Sequence, residues 1–70
     1  MNMLELLKKF RTNKKKHPNW REGQCWFNSL HELNDAWADE IRGNNSIDPF
    51  YKNENVTAFL LWVAKEEKEK

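Results

Sequence analysis

The chain has 70 residues, of which 39% are hydrophobic and 33% are charged, and its formal net charge is +1. This length allows one domain, whose single small core would supply only about 3–5 kcal/mol of stability. The single cysteine, Cys25, excludes an intramolecular disulfide. The longest apolar run is Ala58–Ala64, and its seven residues fall far short of the ~20 that span a membrane. The start of the chain lacks a signal-peptide pattern, so we expect a cytoplasmic protein.

The small net charge hides a segregation along the chain. Residues 1–21 carry a net charge of +6, residues 22–54 carry −5, and residues 55–70 are neutral. A basic arm thus precedes an acidic body. Two interpretations remain open: the two parts attract each other within one molecule, or the arm contacts an anionic partner.

The first predicted helix covers Asn2–Arg11, because apolar residues recur there at helical spacing, at Met3, Leu7 and Phe10. The segment Thr12–Pro18 is polar and basic. Pro18 disfavours the helical conformation at the residue before it, so any helix ends there.

A second helix is predicted over Trp20–Leu33, with Asn19 as its N-cap and Glu22 completing a capping box. Gly23 weakens this helix, and we expect a glycine there to allow another backbone segment to approach closely. Asn34 or Asp35 then begins a third helix that runs to about Arg42. The sequence leaves open whether the second and third helices are continuous.

Gly43 is placed to end the third helix in the left-handed conformation. Asp48 and Pro49 predict an N-cap and a first helical position, starting one short turn that carries Phe50 and Tyr51. Asn53 or Asn55 then caps a last helix that extends to about Glu69. Its predicted buried side is formed by Val56, Phe59, Leu60 and Val63, and its charged tail contains the spaced pairs Lys65/Glu69 and Glu66/Lys70.

These elements predict an all-α fold, a small bundle of three main helices with one or two short helical segments. The single domain would comprise a first helix and basic arm (1–18), a core block (19–64) and a charged helical tail (65–70).

The residues that could carry chemistry are few and scattered. Cys25, His17 and His31 are too few and too far apart in sequence for a structural zinc site. Cys25 and His31 are six residues apart in one predicted helix, so they point in different directions, and a buried, inert cysteine is expected. The spacing of His31 and Asp35 is that of an ordinary surface pair. We therefore predict no enzymatic activity, no metal and no cofactor.

Aromatic residues are unusually abundant, with four Trp, four Phe and one Tyr. We expect Trp26 and Trp37 inside the core. For Trp20 and Trp62 two interpretations remain open, core packing or an exposed binding patch, because Trp and Tyr are frequent in interface hot spots.

The stretch Gly23–Val63, 41 of the 70 residues, carries a specific pattern. It reads GQ-x-x-FN-x-L-x-E, then A-x-x-IRG, then DPFY, then F-L-x-W, and it consists of Gly23, Gln24, Phe27, Asn28, Leu30, Glu32, Ala38, Ile41, Arg42, Gly43, Asp48, Pro49, Phe50, Tyr51, Phe59 and Trp62. This pattern resembles a class of short, uncharacterised proteins of bacteriophages and prophages. The chain departs from it at Asp35, where the class has Pro, and at Asn44, where it has Thr. The resemblance implies a phage-encoded protein but assigns no chemistry.

Together these features predict a non-catalytic protein-binding module, which would act on a host protein in the host cytoplasm if it is phage-encoded. The candidate contact residues are Trp20, Gln24, Asn28, Arg42, Tyr51 and Trp62. The alternative is a nucleic-acid-binding accessory protein that uses the basic arm, formed by Lys8, Lys9, Arg11, Lys14, Lys15 and Lys16. The pI of about 7.9 is lower than that typical of nucleic-acid-binding domains. Homodimerisation is left open, and no membrane partner is expected.

Overall fold

The structure, a computed structural model, describes residues 2–68 and is all-α within that range. Three longer helices form a bundle, and two short segments complete it, which confirms the predicted fold class. In chain order the elements are α1 (Met3–Lys16), α2 (Glu22–Leu33), α3 (Asp35–Ile41), a 3-10 helix (Asn53–Asn55) and α4 (Val56–Lys68).

Helix α1 is longer than predicted and includes most of the basic arm. It continues five residues beyond Arg11 and ends at Lys16, with His17 as its C-cap before Pro18. Lysine is a good helix former, and three lysines in the last turn complement the negative end of the helix dipole. The predicted end at Arg11 was therefore wrong, whereas the prediction that the helix ends before Pro18 is confirmed.

Helix α2 begins two residues later than predicted, and its N-cap is Arg21 rather than Asn19. The predicted capping box with Glu22 does not form. Instead, the Gln24 side-chain oxygen accepts a hydrogen bond from the backbone N–H of Arg21, at 3.3 Å. Trp20 lies in the preceding turn, where its backbone N–H donates to the His17 carbonyl.

Asn34 separates α2 from α3, so the two helices are not continuous. It is the C-cap of α2, and its side-chain oxygen also accepts from the backbone N–H of Trp37 in the first turn of α3. One extended residue with a short polar side chain thus ends one helix and begins the next.

The core lies between α1, α2, α3 and α4. Trp26 and Trp37 are 7% and 6% exposed, which confirms the prediction that both are internal. Trp26 stacks on Phe10 with ring centroids 3.9 Å apart. The indole N–H of Trp26 has no hydrogen-bond partner among residues 2–68. The other buried members of this cluster are Leu6, Phe27, Leu30, Ala38, Ile41, Phe59 and Val63.

A buried polar contact fixes α1 against α2. The Asn13 side-chain amide donates to the Ser29 hydroxyl at 3.0 Å, and both side chains are buried. The Ser29 hydroxyl in turn donates to the Cys25 carbonyl at 2.7 Å. Because a buried polar group without a partner is costly, this pair favours one register of the two helices.

Gly23 brings α2 directly against the loop that follows α3. A Cβ atom at this position would overlap the Pro49 carbonyl oxygen and would lie 3.0 Å from the Asn53 side-chain oxygen. The Gly23 backbone N–H also donates to that oxygen, at 2.9 Å. The expected close approach of another backbone segment is therefore confirmed.

Helix α4 closes the bundle. On its predicted buried side, Phe59 and Val63 are fully buried and Val56 and Leu60 are half-buried. Its last turn reaches Lys68, and the predicted pairs Lys65/Glu69 and Glu66/Lys70 lie outside the described residues. None of the helices within 2–68 is both long and apolar enough to cross a membrane.

Candidate functional site

A shallow hollow with a volume of about 400 Å³ lies between the second half of α2 and the loop after α3. Seven residues line it: Phe27, Asn28, His31, Arg42, Asp48, Phe50 and Tyr51. We call the part of it formed by Asn28, His31, Arg42, Phe50 and Tyr51 the Tyr51 face.

Three aromatic rings lead from the core to the outer edge of this surface. Phe27 is buried, and Phe50 meets it edge-on with ring centroids 5.7 Å apart. Tyr51 meets Phe50 edge-on at 4.7 Å. Tyr51 itself is 82% exposed. The outermost ring therefore packs on the half-buried Phe50 ring, which itself packs on buried Phe27, while most of the Tyr51 surface faces solvent.

Cationic side chains surround these rings. The Arg42 guanidinium lies 5.7 Å from the centre of the Phe27 ring and forms an ion pair with Asp39 at 3.3 Å. The Arg21 guanidinium lies 5.8 Å from the centre of the Tyr51 ring and donates to the Phe50 carbonyl at 3.0 Å. These distances are those of cation–π contacts.

A second, smaller hollow of about 300 Å³ shares Arg42, Asp48 and Tyr51 with the first and includes Lys52 in its lining. Tyr51 thus borders two hollows. Arg42 and Lys52 are the only cationic residues between positions 22 and 54, so the acidic part of the sequence places both of its cations beside Tyr51.

The loop that carries Tyr51 is fixed by its own polar side chains. Gly43 has a φ of 80°, so it ends α3 in the left-handed conformation as predicted. The two oxygens of the Asp48 carboxylate accept from the backbone N–H groups of Gly43 and Phe50, at 2.8 and 2.9 Å. Residues 50 and 51 form a bend rather than the predicted helical turn, which comes later, at Asn53–Asn55.

Asn53 and Asn55 also hold this loop, instead of capping α4 as predicted. Asn53 accepts from Gly23 of α2. The Asn55 amide donates to the carbonyls of Asn45 and Asp48, at 2.8 and 3.0 Å. Both side chains are used to connect separate parts of the chain.

The structure brings together three of the six candidate contact residues, Asn28, Arg42 and Tyr51. The other three lie elsewhere. Gln24 caps the start of α2, half-buried Trp20 stacks on His17 with centroids 3.8 Å apart, and half-buried Trp62 packs edge-on against Trp37 at 5.7 Å.

The sequence-based selection of contact residues missed Phe27, His31 and Phe50. The spacing of Phe27 and His31 places them one turn apart on α2, so sequence spacing could have identified both. The position of Phe50 depends on the path of the loop, which the sequence does not indicate. The Asp48 carboxylate binds backbone N–H groups, and Arg42 pairs with Asp39.

Cys25 lies away from this surface. It is fully buried, and its thiol lies 3.6 Å from the Phe10 carbonyl of α1. Burial raises the pKa of the Cys25 thiol above its ordinary value of 9.0. The protonated thiol is a poor nucleophile. Within the described part of the chain, no three His, Cys, Asp or Glu side chains are grouped so that they could hold a metal ion.

The arrangement on the Tyr51 face suits binding. It offers an exposed aromatic ring, a guanidinium, an amide and an imidazole around a shallow hollow, on a fixed loop. Comparisons with protein families, with curated proteins and with solved structures found no match to this chain.

Proposed function

We propose that the chain is a non-catalytic protein-binding module whose contact surface is the Tyr51 face. The observation that carries the proposal is the position of Tyr51, which is 82% exposed, borders two hollows and lies beside Arg21 and Arg42. Tyrosine and arginine are among the residues that dominate the binding energy of protein interfaces.

The size of the exposed ring supports this interpretation. An aromatic side chain presents about 150–250 Å², and burial yields about 25 cal/mol per Å². Covering most of Tyr51 would therefore contribute about 3 kcal/mol, which is the range of an interface hot spot. The hollows beside the ring would accept side chains of the partner.

The more specific part of the proposal is that the chain is phage-encoded and binds a host protein in the host cytoplasm. Its support is the resemblance of Gly23–Val63 to proteins of phages and prophages. The Tyr51 face includes Asn28, Arg42, Phe50 and Tyr51 from that pattern.

The test is affinity capture from nuclease-treated lysate of the host cell with three tagged proteins: wild type, Tyr51→Ala and Leu61→Ala. Leu61 is a matched control, because it is 67% exposed and lies on α4. We expect wild type and Leu61→Ala to retain one stoichiometric protein. Tyr51→Ala should bind that protein at least 30-fold more weakly, as a loss of about 2 kcal/mol requires.

Both variants alter exposed side chains, so circular dichroism should show wild-type helix content. Equal retention of the partner by wild type and Tyr51→Ala would remove the Tyr51 face from the proposal. Retention of no stoichiometric protein by the wild-type chain would overturn the proposed function itself.

A further inference from the structure

The six cationic side chains of α1 fall into two groups. Lys9 pairs with Glu32 of α2 at 3.1 Å, and the Lys14 ammonium donates to the Trp20 carbonyl at 2.7 Å. The other four are exposed and form no ion pair within residues 2–68: Lys8, Arg11, Lys15 and Lys16. We call these four the cation row.

Helical spacing places three members of the cation row on one side of α1. Lys8, Arg11 and Lys15 follow at i, i+3 and i+7, and Lys16 is exposed about a quarter turn around the helix from Lys15. The opposite side of the helix carries buried Leu6 and Asn13, which contact the rest of the bundle. The row therefore points to solvent. At 1.5 Å per residue, it extends about 12 Å along the helix.

The stability of helix α1 explains the presence of only some of these four cations. Cations in the last turn offset the negative end of the helix dipole, and Lys15 and Lys16 lie there. Lys8 and Arg11 lie in the middle of the helix, where the dipole effect has faded. Glu5 is the only acidic residue of α1, and it lies near the N-terminal end.

A shallow hollow of about 400 Å³ opens along one border of the row. Its lining combines cations with one half-buried aromatic ring and consists of Phe10, Arg11, Thr12, Lys14 and Lys15. Cationic side chains that alternate with a small apolar surface suit the repeating phosphates and sugars of a nucleic-acid strand.

We propose that the cation row binds the phosphodiester backbone of nucleic acid, as a second site separate from the Tyr51 face. A strand of duplex DNA carries one phosphate per 3.4 Å, so a row of about 12 Å contacts about four phosphates. Three of the four side chains are lysines, which are depleted in protein interfaces, and this composition favours nucleic acid over an acidic protein surface.

The two sites use different residues of α2. Helix α1 contacts α2 at Ser29 and Glu32, whereas the Tyr51 face uses Asn28 and His31. No residue belongs to both sites. The nucleic-acid site therefore does not depend on the proposed protein partner, and each can fail without the other.

The test is fluorescence anisotropy with a labelled 20-base-pair duplex, and with one of its strands alone, at 50 and 200 mM salt. Four phosphate contacts predict a slope of about −3.6 for log K against log salt, which is an affinity loss of about 150-fold over this interval for the duplex. The single strand, which has a lower charge density, should show a shallower slope.

Two triple variants lower the net charge of the protein by the same amount. Comparing them distinguishes binding by the cation row from an effect of overall charge. Lys8→Gln/Lys15→Gln/Lys16→Gln should reduce the magnitude of the slope by about 3 and leave only a few-fold salt dependence. Lys52→Gln/Lys65→Gln/Lys68→Gln should keep the wild-type slope. Lys14 is left unchanged because its bond to Trp20 is structural. Glutamine and lysine have similar helix propensities, so both variants should keep their helix content.

Three results would overturn the proposal. The first is absence of binding to either probe up to about 100 μM protein at 50 mM salt, since nonspecific affinities at higher, physiological salt are already in the range 10⁻⁴–10⁻⁶ M. The second is equal loss of binding in the two triple variants. The third is displacement of the duplex by polyglutamate at equal charge, which would assign the row to an acidic protein.

Discussion

Replacing Gly23 with alanine should destabilise the protein, although the same change in an exposed helix is stabilising. In an exposed helix, alanine is favoured over glycine by up to about 1 kcal/mol. Here the added Cβ would overlap the Pro49 carbonyl oxygen. The obstacle is backbone, so it cannot rotate away, and the loop must move away from α2.

The size of the effect follows from the contacts that must change. Overpacking of this kind costs about 1–3 kcal/mol, and the hydrogen bond from Gly23 to Asn53 contributes about 1 kcal/mol more if it is lost. After the gain in helix propensity is subtracted, a net loss of about 1–3 kcal/mol remains. For a domain of this size that lowers Tm by about 5–20 °C.

Thermal unfolding followed by circular dichroism measures this loss, and Gly43→Ala is its control. Gly43 has a φ of 80° with no other atom within 4 Å of an added Cβ, so its cost is conformational, about 1–2 kcal/mol. Amide chemical shifts of Phe50 and Tyr51 should move in the Gly23 variant. A rise in Tm for Gly23→Ala would refute the close approach to Pro49.

Three further predictions concern the core. Phe59→Ala removes a fully buried ring at a cost of about 3–5 kcal/mol, which equals the expected total stability of the domain. Far-UV circular dichroism should therefore show a largely unfolded chain at 25 °C. A cooperative unfolding transition near the wild-type Tm would contradict this. Asn13→Ala should lower the free energy of unfolding in urea by about 1–3 kcal/mol, because the contact with Ser29 is buried; no change would show that it is not stabilising. Because burial raises the pKa of Cys25 in the folded chain, the unfolded chain loses its thiol proton first as pH rises above 9.0. Tm should therefore fall above pH 9.0 more steeply in wild type than in Cys25→Ala. Parallel plots of Tm against pH for the two proteins would argue against the raised pKa.

The sequence predicted the fold class because the helical spacing of apolar residues agrees with the helix ends indicated by Pro18, Asn34 and Gly43. It failed on the end of α1, where lysine-rich sequence is compatible with both a solvated arm and a helix. Tertiary contacts decide between them, since α1 in its extended form places Asn13 in a buried hydrogen bond to Ser29 of α2. No local pattern indicates that pairing.

The candidate site was predictable only in part for a similar reason. Arg42 and Tyr51 were selected as polar members of the recurring pattern, and both line the hollow. Trp20 and Trp62 were selected as aromatic residues, and they lie elsewhere. Which residues meet depends on the path of the loop from Gly43 to Lys52. That path is determined by long-range bonds, such as the one from Gly23 to Asn53, and sequence spacing does not reveal them.

The hydrogen bonds that hold this loop also bear on how quickly and how tightly the Tyr51 face would bind the proposed partner. Asp48, Asn53 and Asn55 immobilise the loop backbone when the chain folds, before any partner is present. Preorganisation of this kind spares the complex the entropy loss of ordering a flexible segment. Association then needs no slow rearrangement of the loop, so differences in affinity between partners should arise in their dissociation rates.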